Sequence, residues 1–154
     1  ACPNGACMSM DFYSNTLYAD SYTSSALTHW ALVYNADGNK ERYIYRDGVL
    51  VAQGCDGNVD CNYSGNFELI LGGTSTAGGV ITNYNGVIDD FSVWSKPLSA
   101  EEVFNYYLSD PFGNEDALEV LYNFNEGSGN IINDFANQNH GTVIGADPVW
   151  VERD

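Results

Sequence analysis

Residues 84–103 restrict this chain more than any other stretch, because a strand pattern there runs straight into a helix start. Val87, Asp89, Phe91 and Val93 alternate with Ile88, Asp90, Ser92 and Trp94, and aromatic and β-branched side chains suit a pleated surface. Both alternating sets hold apolar residues, which predicts a strand covered on both faces, as between two layers. Pro97 has no N–H to give a ladder and ends the strand. Ser99 with Glu102 three residues on forms a capping box, so a helix is expected over about 100–108. The Pro and Gly of DPFGN at 110–114 break it. Asp89 and Asp90 are the oddity, since a buried carboxylate needs a hydrogen-bonding, ionic or metal partner. With only five Lys and Arg in the chain, a hard cation is one candidate.

The rest of the chain alternates short apolar runs with turn residues. Strands are expected at 8–13, 17–22, 29–34, 41–45, 49–53 and 67–71, with Trp30, Leu32 and Tyr34 on one face and Trp30 and Trp94 in the core. Ser14-Asn15, the segment 35–39 and Asp47-Gly48 read as turns, the last two because Asp-Gly readily takes positive φ. Residues 72–79, rich in Gly, Ser and Thr, read as a loop. Sixteen glycines, eleven tyrosines and frequent turn dipeptides predict an all-β fold. At 154 residues the chain has one domain's length and can bury roughly 70% of its unfolded surface.

The formal charge of −16 argues against nucleic acid, whose binding rests on basic contacts to phosphate, and against anionic membrane surfaces. It fits cation binding or a self-repelling soluble surface. No apolar run reaches membrane-spanning length. Four cysteines sit as two close pairs, Cys2 with Cys7 and Cys55 with Cys61, which points to local disulfides and an oxidising compartment. Zinc fits less well, because neither pair has a two-residue spacing or a nearby His. The chain begins at Ala1 without a signal peptide, as either a processed secreted chain or an excised fragment would. Asn62-Tyr63-Ser64 is an N-glycosylation acceptor pattern.

Catalysis is not expected. His29 and His140 lack a Ser or Cys partner in a strained elbow, and a glycosidase needs two carboxylates across the scissile bond. Glu115, Asp116 and Glu119 are the nearest acidic run, and they sit at a linker. Tyrosine faces suit sugar stacking, with Tyr43, Tyr45, Tyr63 and Tyr84 as candidates; the alternative is that such rings fill the core.

GVIDDFSVW at 86–94 with PLSAEEV at 97–103 resembles the final strand and closing helix of the LamG-like, concanavalin A-like jelly-roll domains. THWALVY at 28–34 and RYIYRDGVLV at 42–51 resemble that family's central hairpin, and LILGG at 69–73 its next strand. The resemblance implies a two-sheet antiparallel sandwich with one short helix near 100–108. It also implies a structural calcium at Asp89 or Asp90, with Asp134 and Glu126 as further candidates; calcium wants six to eight oxygens. The alternative is that these acids cap turns or face solvent.

One segment is out of register with the family. LEVLYNFNEGSG at 118–129, followed by DFANQNHGTVIG at 134–145 and Trp150, resembles the beginning of such a domain but follows its closing helix. The expected organisation is a body at 1–109 lacking its first strands, a linker at 110–117 and a completing segment at 118–154. That segment can close its own body, enter the next copy as a donated strand, or mark a window cut from a tandem array. Exchange between copies, head to tail, gives a filament when the rotation does not close. Leu118, Val120, Tyr122, Phe124, Val143 and Trp150 are then the assembly residues. The expected protein is a secreted or cell-surface structural subunit of a fibre, non-enzymatic, binding copies of itself; a glycan-binding module is the alternative.

Overall fold

The computed structural model describes residues 7–12, 15–19, 26–37, 40–55, 69–76, 79–145 and 148–152. Cys2, Cys61, Asn62 and Tyr63 lie outside them. Among the described residues the fold is all-β with one short helix, and every strand pairing is antiparallel. It divides into two compact units, each drawn from two lengths of chain: 1–65 with 96–110, and 66–95 with 111–154. Among the described residues no helix is long and apolar enough to cross a membrane.

The first unit holds the hairpin β1 (Ser9–Phe12) and β2 (Asn15–Tyr18), the sheet β3 (Trp30–Asn35), β4 (Glu41–Arg46) and β5 (Val49–Gly54), and α1 (Ala100–Leu108). Ala31 pairs with Tyr45 and Val33 with Tyr43, so these four share one face. Val103 of α1 packs there with Val33 and Tyr45, and Leu98, Ala31 and Tyr43 surround them. The opposite face carries Arg42, only 1% exposed. Its Nη1 donates to the carbonyls of Met10 at 2.8 Å and Asn15 at 2.9 Å, and its Nη2 to Asn15 Oδ1 at 2.6 Å. The guanidinium also lies 5.0 Å from the centre of the Phe12 ring. β4 is thus covered on both faces, by a helix and by a hairpin, whereas the sequence pattern points to such cover at 87–94.

The helix runs over the predicted residues, and both halves of the Ser99–Glu102 capping box are present. The Lys96 ammonium, 2.7 Å away, and then the Ser99 N–H hold the Glu102 carboxyl down at about 2. Asp47 (φ 49°) and Gly48 (φ 75°) turn β4 into β5, the left-handed pair that a two-residue hairpin needs. A β-carbon at Gly48 would lie 2.8 Å from the Phe104 ring and 3.3 Å from the Phe104 Cα. Gly48→Ala is therefore expected to lower stability by about 1–3 kcal/mol, from left-handed strain plus overpacking against a backbone that cannot swing aside. Thermal unfolding of the variant checks this, and an unchanged midpoint would refute it.

The second unit holds β6 (Gly73–Thr76), β7 (Gly79–Asn83), β8 (Phe91–Trp94), β9 (Leu118–Tyr122), β10 (Ile131–Ile132) and β11 (Gly141–Thr142), paired as β6–β7, β8–β9 and β10–β11. Several expectations need correction here. The loop expected at 72–79 instead carries the β6–β7 hairpin, and 69–72 belong to no strand. The strand expected over 87–94 is only β8, because Asp90 takes φ 49° and its N–H turns onto Asp89 Oδ1 at 3.2 Å. Asp89 and Asp90 thus precede the strand, half-buried. Trp30 and Trp94 are half-buried rather than core. In the first unit, the second strand begins earlier than expected, with Asn15 as its first residue.

Candidate functional site: the C-terminal segment and the exposed aromatic faces

The segment after α1 begins with a turn held by one carboxylate. Glu115 accepts the N–H of Phe112 on one oxygen and of Gly113 on the other. Burial pushes its carboxyl up, but the donors of Phe112, Glu115, Gly113 and Asn114 outweigh that and hold it below the usual range. The chain then enters β9, which pairs with β8 of the same chain: Phe91 faces Tyr122, Ser92 faces Leu121, Val93 faces Val120 and Trp94 faces Leu118.

The outer side of β9 is not left bare. The Leu121 N–H donates to Asp134 Oδ1 at 2.8 Å, and the Leu121 carbonyl accepts from the Phe135 N–H at 2.9 Å. Asn137 Nδ2 reaches the Leu118 and Glu119 carbonyls, and Asn139 Nδ2 also reaches Glu119. Side-chain amides and one carboxylate thus stand where a third strand would be. Asp134 is the hub, 6% exposed. Its Oδ1 also accepts from Ala136, and its Oδ2 accepts from Asn137 and Asn139. Burial pushes its carboxyl up, but the N–H groups of Leu121, Ala136, Asn139 and Asn137 together win and hold it below the usual Asp value. His140, exposed, accepts the Asp134 N–H on Nδ1.

This geometry reassigns most of the expected site residues. Asp134 does not fit a calcium ligand, because four backbone N–H groups already occupy the acceptor sites of its two oxygens. Glu126 spends Oε1 on the backbone and side-chain amides of Asn133. Among the described residues no group of three or more His, Cys, Asp or Glu is gathered to hold a metal, so Asp89, Asp90, Glu126 and Asp134 do not form one site. The alternative of acids that organise turns describes Asp134 and Glu126. The sequence carried a signal for it, an Asp followed at short range by Asn137 and Asn139, with no large apolar residue between Phe135 and Val143.

The assembly residues fare similarly. Leu118 and Tyr122 are buried, and Val120, Phe124, Val143 and Trp150 are half-buried. Tyr122 stacks on Phe91 with centroids 6.1 Å apart and donates to the Asn139 carbonyl at 2.6 Å. Val143 donates its N–H to Asn130, and Trp150 joins Pro148 beside the loop 127–130. The side chains this segment does expose are others, which the sequence reading passed over: Ile144 at 67%, Val149 at 88% and Val151 at 62%.

Of the expected sugar platforms, Tyr45 is buried in the α1 core and Tyr43 packs against it, its hydroxyl donating to Glu41. Tyr45 therefore offers no free face. Tyr84 does, at 61% exposed, with its ring lying over Gly86. Cys7 and Cys55 are both disulfide-bonded, each being one member of an expected pair. His29 is half-buried against Tyr107, with centroids 5.8 Å apart. Burial pushes it below its usual value against the opposing pull of Asp47 and Asp110.

Neither the curated proteins nor the solved structures give a match to this chain. A family model does match, over residues 9–104. That span takes in β1 through β8 and the first half of α1, and leaves β9, β10 and β11 beyond it. With more than half its length matched, the chain belongs to the laminin G type of the concanavalin A-like lectin/glucanases superfamily.

Proposed function

We propose that this chain is a non-catalytic, extracellular structural subunit that joins copies of itself into a fibre or surface appendage through its C-terminal segment. The observation that carries this reading is the exposure of Ile144, Val149 and Val151 on a segment beyond the matched family span. Large apolar side chains left in water close together in sequence support a surface for a partner. The two cysteine pairs support an oxidising, extracellular setting. Sedimentation velocity from about 1 to 100 μM should show concentration-dependent association, and Ile144→Asp with Val149→Asp should abolish it. A chain that stays monomeric over the whole range sinks the reading.

A second reading, glycan binding, is favoured by the uncovered ring of Tyr84. Under it a glycan array gives hits that Tyr84→Ala removes while the oligomeric state stays the same.

A further inference from the structure

Asn85-Gly86 is the only Asn-Gly pair among the described residues. It lies between β7 and β8, outside any strand, and both residues are exposed. Among the described residues, neither the Asn85 side-chain amide nor the Gly86 N–H has a hydrogen-bond partner. Glycine has no Cβ to shield its nitrogen from the side chain before it. The Tyr84 ring lies over the same glycine, so that a β-carbon at Gly86 would stand 2.6 Å from Tyr84 Cζ. An amide and a bare backbone nitrogen are thus left side by side, open to water.

Several other amides are held in place. Asn35 Oδ1 accepts the Asp37 N–H at 3.0 Å, and Asn123 Oδ1 accepts the Asn125 N–H at 3.2 Å. Asn137 and Asn139 give Nδ2 to carbonyls of β9. Asp47, which also precedes a glycine, accepts the His29 N–H on Oδ1 at 3.1 Å and donates its own N–H to the His29 carbonyl at 2.9 Å. Each of these side chains must break such bonds before its Cγ can reach the following nitrogen. Asn85 has none to break.

We infer that Asn85 is a site of spontaneous covalent modification. The Gly86 nitrogen gives its proton to solvent and attacks Asn85 Cγ. The N–Cγ bond forms, the Cγ–Nδ2 bond breaks, and Nδ2 leaves as ammonia with a proton taken from water. Water then opens the cyclic imide. Attack that breaks the new N–Cγ bond leaves aspartate; attack at the main-chain carbonyl leaves isoaspartate, whose backbone runs through Cγ. Nothing is oxidised or reduced, and water is the one co-reactant. Either product adds a negative charge to a chain already at −16, which changes the physical behaviour of the surface. Isoaspartate also lengthens the link between two fixed points. Tyr84 is tied through its N–H to the Gly72 carbonyl at 2.7 Å, and β8 is tied to β9. The Tyr84 ring therefore loses its seat over Gly86 in that form.

The test holds the full chain at neutral and mildly alkaline pH at body temperature and reads a digest by mass spectrometry. The peptide containing residue 85 should gain the amide-to-acid mass difference and elute as separate aspartate and isoaspartate forms. The rate should rise about tenfold per pH unit, because the deprotonated fraction of an amide grows in that proportion below its pKa. It should lie within about threefold of the rate in a free peptide of residues 82–90, since an exposed and unbonded site has almost no opening free energy to overcome. Asp47 should not isomerise until denaturant unfolds the chain. Asn85→Gln, whose cyclisation needs a larger ring, should remove the signal and leave the unfolding midpoint unchanged. In the isoaspartate form the Gly86 α-protons, shifted by the Tyr84 ring, should return to ordinary positions in the proton NMR spectrum. Aspartate without isoaspartate, which direct hydrolysis would give, or a folded-state rate more than about threefold below the peptide's, overturns the inference.

Discussion

Arg42→Met is expected to lower stability by about 3–5 kcal/mol, because it takes the charged donor from three acceptors on the β1–β2 hairpin and leaves them unmet. The side chain that goes is 1% exposed, and it serves the Met10 and Asn15 carbonyls and Asn15 Oδ1. Methionine fills much of the volume but donates nothing, so the buried side chain of Asn15, 4% exposed, keeps a desolvated oxygen. At about 2–4 °C per kcal/mol for a chain of this size, the unfolding midpoint should drop by roughly 10 °C. Arg42→Lys should recover only part of the loss, since an ammonium cannot span the acceptors that the planar fork reaches. The double variant with Asn15→Leu should cost less than the sum of the two singles. A single-variant loss under about 1 kcal/mol would mean the hairpin β1–β2 is held by other contacts.

Asp134→Ala should cost a similar amount, about 3–5 kcal/mol, by leaving four backbone N–H groups without their acceptor. Leu121 bears most of this, as its N–H lies on a buried residue of β9; the donors of Asn137 and Asn139, both exposed, can turn to water. The effect has a pH signature. The folded carboxyl titrates below its unfolded value, so the unfolded chain binds the proton first. The stabilisation is complete above the ordinary Asp pKa of 3.8 and fades as the pH falls through the lower folded value. Denaturant midpoints at a series of acid pH values should therefore converge for wild type and Asp134→Asn, and separate above about pH 4. Asp134→Asn, which keeps one acceptor oxygen, should lose less than Asp134→Ala. Parallel pH curves for Asp134→Asn and wild type would show that the carboxyl charge does not hold the bracket.

Helix α1 was legible in the sequence to its last residue, because a proline and a capping box state their meaning locally. The Asp47-Gly48 turn was legible for the same reason. Asp89 and Asp90 misled. Alternation placed them inside a strand, yet an aspartate tolerates the left-handed conformation that Asp90 adopts, and nothing in the pattern reveals where that occurs. β6 was hidden because Gly73 and Ser75 interrupt the strand preference of Thr74 and Thr76, and its hairpin is made by backbone pairing with β7. Arg42 and Asn15 were overlooked because a polar pair 27 residues apart has no periodicity. Trp150 and Val143 were singled out as large apolar residues, but burial depends on which side of the chain turns toward the molecule. That choice left Ile144, Val149 and Val151 outside instead.

The division of the chain into 1–65 with 96–110 and 66–95 with 111–154 has a consequence for anyone cutting the gene. Neither unit can be expressed as one uninterrupted fragment, since each borrows a piece from beyond the other. Stopping translation at residue 110 would strip β8 of the strand it pairs with while leaving α1 and its sheet formally whole. Rejoining the pieces of one unit calls for a rewired gene, with a new peptide link between residues 65 and 96 or between 95 and 111.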